Sequence, residues 1–163
     1  VNLKDFSIEV EAILVDEELL RLLHYSPKNG MDDPLDSSKP NILDKPSEDK
    51  WDIIRHHIVP AIKLDDLENE KKCRIFYYAG AGNPTNNNYL FSNQEYVFEI
   101  LVPYDFQIID KRLEMICDRI NDLVSNKQIG GVGNTFFRRR SPISVTKDYL
   151  GFRLVYEYVS ENY

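Results

Sequence analysis

Apolar residues along this chain fall into two rhythms, one that repeats every three or four positions and one that alternates, and the two divide it into helices and strands. Leu19, Leu20, Leu22 and Leu23 form a broad stripe behind Asp16, a candidate N-cap. Glu17 and Glu18 occupy the first turn there, where the helix dipole favours negative charge. Phe6, Val10, Ile13 and Leu14 share the helical spacing, so one longer helix starting near Asp5 is an open alternative. Trp51, Ile54 and Ile58 set the buried stripe of a second helix capped by Ser47, and Pro60 should end or kink it. Ile109, Leu113, Ile116, Ile120 and Leu123 mark the longest helix, over 105–126, with Lys111, Arg112, Asp118 and Asp122 off the stripe.

The strand rhythm appears in four places. Residues 74–78 are a β-branched and aromatic run. Over 96–102, Tyr96, Phe98, Ile100 and Val102 share one face and Glu99 takes the other, with Pro103 closing the strand. Residues 135–140 are extended up to the break at Pro142. A final strand or bent hairpin over 143–158 puts Phe152, Leu154, Tyr156 and Tyr158 on one face and Arg153 and Glu157 on the other, with Gly151 a candidate bulge or turn. Residues 26–47 hold Pro27, Gly30, Pro34, Pro40 and Pro46, which forbid a continuous helix or central strand, and Ile42 and Leu43 should pin their middle to the core. Residues 79–92 read as a polar loop and 65–72 as a charged connection. The order lacks regular strand–helix–strand alternation. It therefore argues for an α+β fold, a mostly antiparallel sheet with helices packed on one face, in a single domain over 1–163 with a proline-rich loop or elaboration at 26–47.

The formal net charge of −7 argues against a general nucleic-acid binder, whose phosphate contacts need a basic face, and against a surface held to anionic lipid. No apolar run approaches the ~20 residues of a membrane span, and the mixed, acidic start lacks the core of a signal peptide. Two cysteines, Cys73 and Cys117, are too few for a disulfide framework and have no metal spacing. Cys117 on an apolar helix face reads as a buried thiol, which fits a reducing compartment.

No catalytic, cofactor or metal site emerges. Gly130, Gly131 and Gly133 precede an extended Phe136-Phe137 run, whereas a phosphate loop needs a helix N-terminus with Lys and Ser or Thr. His56 and His57 point about 100° apart on a helix and cannot share an ion, and His24 is distant in sequence. The pairs Asp32-Asp33 and Asp65-Asp66 lack calcium-loop spacing and read as exposed turn formers. Arg138, Arg139 and Arg140 are the one concentrated basic feature, suited to an acidic partner surface or to passing nucleic acid. Strict alternation would put Arg138 and Arg140 on one face and Arg139 on the other. Ten Tyr and eight Phe are many for this length; core packing is the default for each, and Tyr89, Tyr104 and Tyr163 at loop or strand ends are candidates for exposure.

The order of elements resembles the tail-terminator and head–tail joining (neck) proteins of tailed bacteriophages. The resemblance rests on the helix Asp16-Glu17-Glu18-Leu19-Leu20-Arg21-Leu22-Leu23, the strand 96–102, the helix 110–123 with the turn to the Arg-rich strand, and the ending Asp148-Tyr149-Leu150-Gly151-Phe152-Arg153-Leu154. It implies a structural virion subunit that is not an enzyme, takes no cofactor, closes into a homo-hexameric ring, caps the tail tube and joins it to the head. Its partners would be tail-tube and head-connector proteins, with DNA passing through without specific binding and no membrane contact. Assembly would take place in the host cytoplasm and the protein would reside in the virion neck. Six copies at −7 each would carry a formal −42, which would ease DNA through a pore. Residues 26–47 depart from the smallest members and could reach a neighbour. Head-to-tail contacts need two complementary patches, and the acidic bulk and Arg138–Arg140 are opposites of that kind. The alternative is a non-viral interaction module that binds a partner through a sheet edge and the 26–47 loop.

Overall fold

Alternation along the strands sorts their side chains between two faces of one sheet, and that sorting decides where the helices go. The computed structural model describes residues 3–61, 71–85, 88–129, 132–143 and 147–161. In chain order the elements are α1 (Leu3–Leu14), α2 (Glu17–His24), a short 3₁₀ turn (Ile42–Asp44), α3 (Ser47–His57), β1 (Ile58–Val59), β2 (Arg74–Thr85), β3 (Asn88–Pro103), α4 (Tyr104–Asp110), α5 (Arg112–Val124), β4 (Val132–Pro142) and β5 (Tyr149–Glu161). The sheet runs β1-β2-β3-β5-β4. Only the two-residue β1 is parallel to its neighbour; the other pairings are antiparallel.

Ile75 and Tyr77 of β2, Tyr96, Phe98, Ile100 and Val102 of β3, and Leu154, Tyr156 and Tyr158 of β5 form one buried face. The apolar stripes of α1, α2, α3 and α5 close over it, so the fold is α+β with helices on one side of a mostly antiparallel sheet. Phe6 seats α1 by stacking on Tyr158 at 3.7 Å between ring centroids, and Ser7 Oγ bonds Tyr96 Oη at 2.8 Å. On the opposite face Phe76, Leu101 and Tyr149 form a small second cluster with Val59 and Ile143.

Asp16 caps α2 as its position suggests, accepting the Leu19 N–H at 3.0 Å. That cap separates α1 from α2, so the one-helix alternative fails. For α3 the cap position falls on Pro46 rather than Ser47, with no side-chain bond. The long helix expected over 105–126 is broken. Lys111 is left-handed (φ 56°) and divides α4 from α5. The break aims Arg112 inward. Its guanidinium is buried, is held by Asp110 at 2.7 Å, and donates to the carbonyls of Leu22 and Tyr25. It thereby satisfies orphan acceptors at the C-terminus of α2. Periodicity registers apolar positions and is blind to a buried arginine.

Of residues 79–92, expected as a loop, 79–85 and 88–92 extend β2 and β3 into a long antiparallel arm, with Gly82 opposite Gln94 and Pro84 opposite Ser92. Gln94 Nε2 donates to Gly80 O and Glu95 O, both at 2.9 Å. Backbone pairing and the Gln94 amide help hold the arm, and a solvated ladder leaves little hydrophobic signature. Gly151 is neither bulge nor turn. It pairs in register with Leu101, and a Cβ there would lie 2.7–2.9 Å from Ile143, Leu101 and the carbonyl of Ile100. The glycine lets the second cluster close onto the sheet.

The proline-rich stretch 26–47 folds back on α2. Arg21, also buried, donates to Asp36 O at 3.1 Å and Lys39 O at 2.9 Å, while Ile42 is fully buried. Asp32 accepts from Lys28 N–H and Lys39 Nζ, and Asp33 from Leu35 N–H, as turn-forming carboxylates do. Asp65, Asp66, Asn86, Asn87, Gly130, Gly131 and Tyr163 lie outside the described residues.

Candidate functional site

The sheet order leaves β4 as an outer strand, paired to β5 on one side. On its other side a pairing starts and stops. Thr135 N–H donates to Lys127 O and Asn126 N–H donates to Thr135 O, each at 2.8 Å. Thr135 itself is buried, its hydroxyl bonded to Val124 O. Beyond Thr135, among the described residues, no strand pairs with the outward side of β4. Such an edge is a template for another chain unless it is blunted.

Two aromatics and three arginines occupy the open part. Phe136 is 57% exposed and Phe137 47%, although the Phe137 ring meets Tyr156 edge-on at 5.7 Å. The register shifts between Phe137 and Arg139, which places Phe137 opposite Tyr156, Arg139 opposite Val155 and Arg140 opposite Leu154. Arg138 is the extra residue, so strict alternation does not hold. Arg138 reaches Glu157 at 3.5 Å and Arg139 forks onto Glu95 at 3.1 and 3.4 Å, both on the face away from the helices. Arg140 turns to the helix face, its guanidinium 5.1 Å from the centroid of Phe152. Among the described residues no carboxylate pairs with Arg140.

On the helix-free face the charges continue inward. Arg153 holds the buried Glu99 at 3.1 Å, and Tyr78 donates its hydroxyl to the same carboxylate. Burial, followed by the adjacent Glu99, pushes the Tyr78 phenol up to about 12. Arg153–Glu99 and Arg139–Glu95 thus tie β5 and β4 to β3 across the sheet. Glu95 carries the site without having been singled out from the sequence, and Phe152 was singled out only as an apolar-face strand residue. The signals pointing to this charged ladder were Glu99 opposite the apolar face of its strand and the shared face of Arg153 and Glu157.

On the helix face a cleft of about 220 Å³ separates β4 from α5. Phe137, Arg140, Leu154 and Tyr156 line it from the sheet, and Asp118 and Asn121 from α5. Tyr156 Oη donates to Asn121 Oδ1 at 3.0 Å. Cys117 at its floor is buried, and that burial pushes its thiol up to about 12, far from the reactive range.

The other candidate chemistry is dispersed. His57 is buried with Nδ1 2.7 Å from Cys73 O, His24 lies 6.1 Å from it ring to ring, and His56 is exposed. Among the described residues no group of three or more His, Cys, Asp or Glu converges as metal ligands would, and no helix is long and apolar enough to cross a membrane. Tyr104 is exposed as expected. A second cleft of about 490 Å³ between Asp16, Glu17, Glu18, Arg21 and Arg119 is already internally paired, with Arg119 on Asp16 at 2.9 Å and on Glu18 at 3.1 Å.

Comparison with known proteins adds kinship. The profile of the family described as YomW matches residues 16–158. The chain is 32% identical over 155 residues to the SPbeta prophage-derived uncharacterized protein YomW of Bacillus subtilis (strain 168), an alignment that covers 90% of this chain and 89% of that protein. The match reaches from the Asp16 cap through β4 and into β5 as far as Tyr158, and the relative ties the chain to a protein of phage origin.

Proposed function

The chain belongs to the YomW family, and from that kinship we propose that it is a structural virion protein of a tailed phage: a ring-forming tail-terminator or neck subunit that caps the tail tube and joins it to the head. It performs no chemistry on a substrate. The observation that carries this reading is the open β4 edge with Phe136, Phe137, Arg138, Arg139 and Arg140 on it. An edge so armed is a contact surface. Two such edges laid against each other would oppose like charges, which is unfavourable between strands. The edge therefore suits a different, acidic surface, and contacts between unlike patches generate closed rings. The net −7 includes the +3 of these arginines, so the remainder of the chain carries a formal −10 and presents such a surface. The prophage origin of the relative fits a gene whose product is needed to build a virion.

Native mass spectrometry and negative-stain microscopy of the purified protein, alone and with tail tubes, test the reading, together with mass spectrometry of purified virions. Closed rings and presence in the virion are expected. A protein that stays monomeric beside tail tubes and is absent from virions would refute it. Reversing Arg138 and Arg140 to Glu should abolish assembly and leave the melting temperature within a few degrees, because both side chains are solvent-exposed.

A further inference from the structure

We propose that the loop tip at Met31, together with the outer face of α4, seats on the β4 edge of a second copy of this chain, with Met31 entering the cleft between β4 and α5. This rests on the ring reading above and names the two surfaces that meet. Exposure supplies the first observation. Met31 is 95% exposed, Ile108 64% and Tyr104 47%. Tyr104 and Ile108 stand four apart on α4 and share a face, and no residue of α4 is fully buried. A Cβ on Gly30 would lie 3.8 Å from the carbonyl of Ile109, so the loop tip rests against that helix. Met31 and Ile108, the chain neighbours of that contact, therefore belong to one region of surface, and large apolar side chains gathered in the open mark a contact. On α1, by contrast, the exposed Leu3 and Ile8 point about 140° apart and make no patch. The tip is also held in place. Met31 N–H donates to Asn29 Oδ1 at 2.9 Å, Lys39 Nζ binds Asp32 at 2.7 Å, and Arg21 donates to the carbonyls of Asp36 and Lys39. Little ordering remains to oppose docking.

Charge and fit supply the second. Residues 28–39 and 104–114 carry six carboxylates against four cations, and two of those cations, Lys39 and Arg112, are held by Asp32 and Asp110. Asp33 accepts the Leu35 N–H and has no ion pair among the described residues. The β4 edge has the opposite make-up, with Phe136 and Phe137 beside three arginines, and Arg140 has no carboxylate among the described residues. Apolar surface then meets apolar surface and carboxylates meet guanidinium groups, the complementarity that sets partner and register. Phe137, Leu154 and Tyr156 wall the cleft of about 220 Å³. A cavity of about 150 Å³ takes a benzene ring, so a Met side chain fits this one, and its sulfur gains contacts with the two rings. Asp33, two residues on, meets Arg140, while Ile108 and Tyr104 cover Phe136.

Position supplies the third. α4 leaves β3 at Pro103, which pairs with Tyr149, and Tyr104 N–H donates to Asp148 O at 2.8 Å. Phe137 pairs with Tyr156, seven residues and roughly 23 Å further along β5. One copy cannot bring its own two patches together. Each faces a different neighbour, which is the head-to-tail arrangement that closes rings.

The test is a cross-link in the full chain. Met31→Cys combined with Ser125→Cys, which lines the cleft, should give a ladder of linked copies with a short bis-maleimide, and either change alone should give no ladder. The native Cys73 and Cys117 are buried and do not compete. Met31→Ser with Ile108→Ser should weaken self-association at least tenfold in native mass spectrometry with unchanged melting, because both side chains are exposed. If wild type forms rings but the two-cysteine chain gives no ladder, or the serine variant assembles like wild type, the inference is wrong and the virion reading stands. If wild type forms no ring even beside tail tubes, the virion reading falls with it. If the serine variant keeps its rings but loses binding to tail tubes, the patch serves another protein and the inference is overturned.

Discussion

Folding buries His57 as a neutral ring, and the consequence is a stability that depends on pH. Its Nδ1 sits 2.7 Å from the carbonyl of Cys73, and burial, opposed by that bond and reinforced by His24, Lys72 and His56, lowers its pKa from 6.5 to about 4. His24 shifts in the same direction, through burial and Lys45. An unfolded chain takes up the His57 proton near 6.5, whereas the folded one waits until about 4, so acid favours the unfolded state between those values. The contribution is fully present above pH 7. At 1.36 kcal/mol per pK unit it falls by about 2 kcal/mol at pH 5 and about 3 kcal/mol at pH 4. Urea unfolding at pH 7.5, 6, 5 and 4 should show this loss as a growing gap between wild type and His57→Gln, which does not titrate there. The difference cancels most of the carboxylate contribution. Imidazole NMR of the folded protein should find His57 still neutral at pH 5. A His57 resonance that titrates near 6.5, or two stability curves that stay parallel from pH 7.5 to 4, would refute the reasoning.

Three further outcomes follow from the same geometry. Asp16 caps α2 and accepts the Arg119 fork; burial works against its charge, but Arg119 and the Leu19 N–H outweigh it and hold its pKa below the usual carboxylate value. Asp16→Ala should cost roughly 1–3 kcal/mol by chemical denaturation, the sum of a lost cap and a partly exposed ion pair. Ile116→Ala, at a fully buried position under the sheet, should cost about 2–5 kcal/mol, and an unchanged melting curve would show the helix face to be assigned wrongly. Cys73 and Cys117, both buried with thiols pushed up to about 12, should resist a thiol reagent at pH 8 in the native state and react only on addition of denaturant.

Periodicity determined the elements that bury apolar residues. Leu19 to Leu23, Ile54, the alternation over 96–102 and 152–158, and the stripe Leu113–Ile116–Ile120 all lie where their spacing puts them, because one apolar face per element is what the core requires. The α+β class followed from their order. The sequence also exposed Arg138, Arg139 and Arg140 as a cluster, since three adjacent guanidinium groups cannot all be buried.

What it left open depends on contacts between distant residues. The left-handed Lys111 exists because Arg112 must turn inward to reach Leu22 and Tyr25, about 90 residues earlier. The long β2–β3 arm is made of backbone bonds that carry no hydrophobic pattern. Arg138 leaves the alternation because β4 shifts register against β5, and register is a property of two strands together. That β4 lies at the sheet's edge at all was decided by β5 inserting beside β3. Local propensity acts within a few residues and fixes which segments are helix or strand. Which strand is left without a neighbour is settled only when the whole sheet has formed.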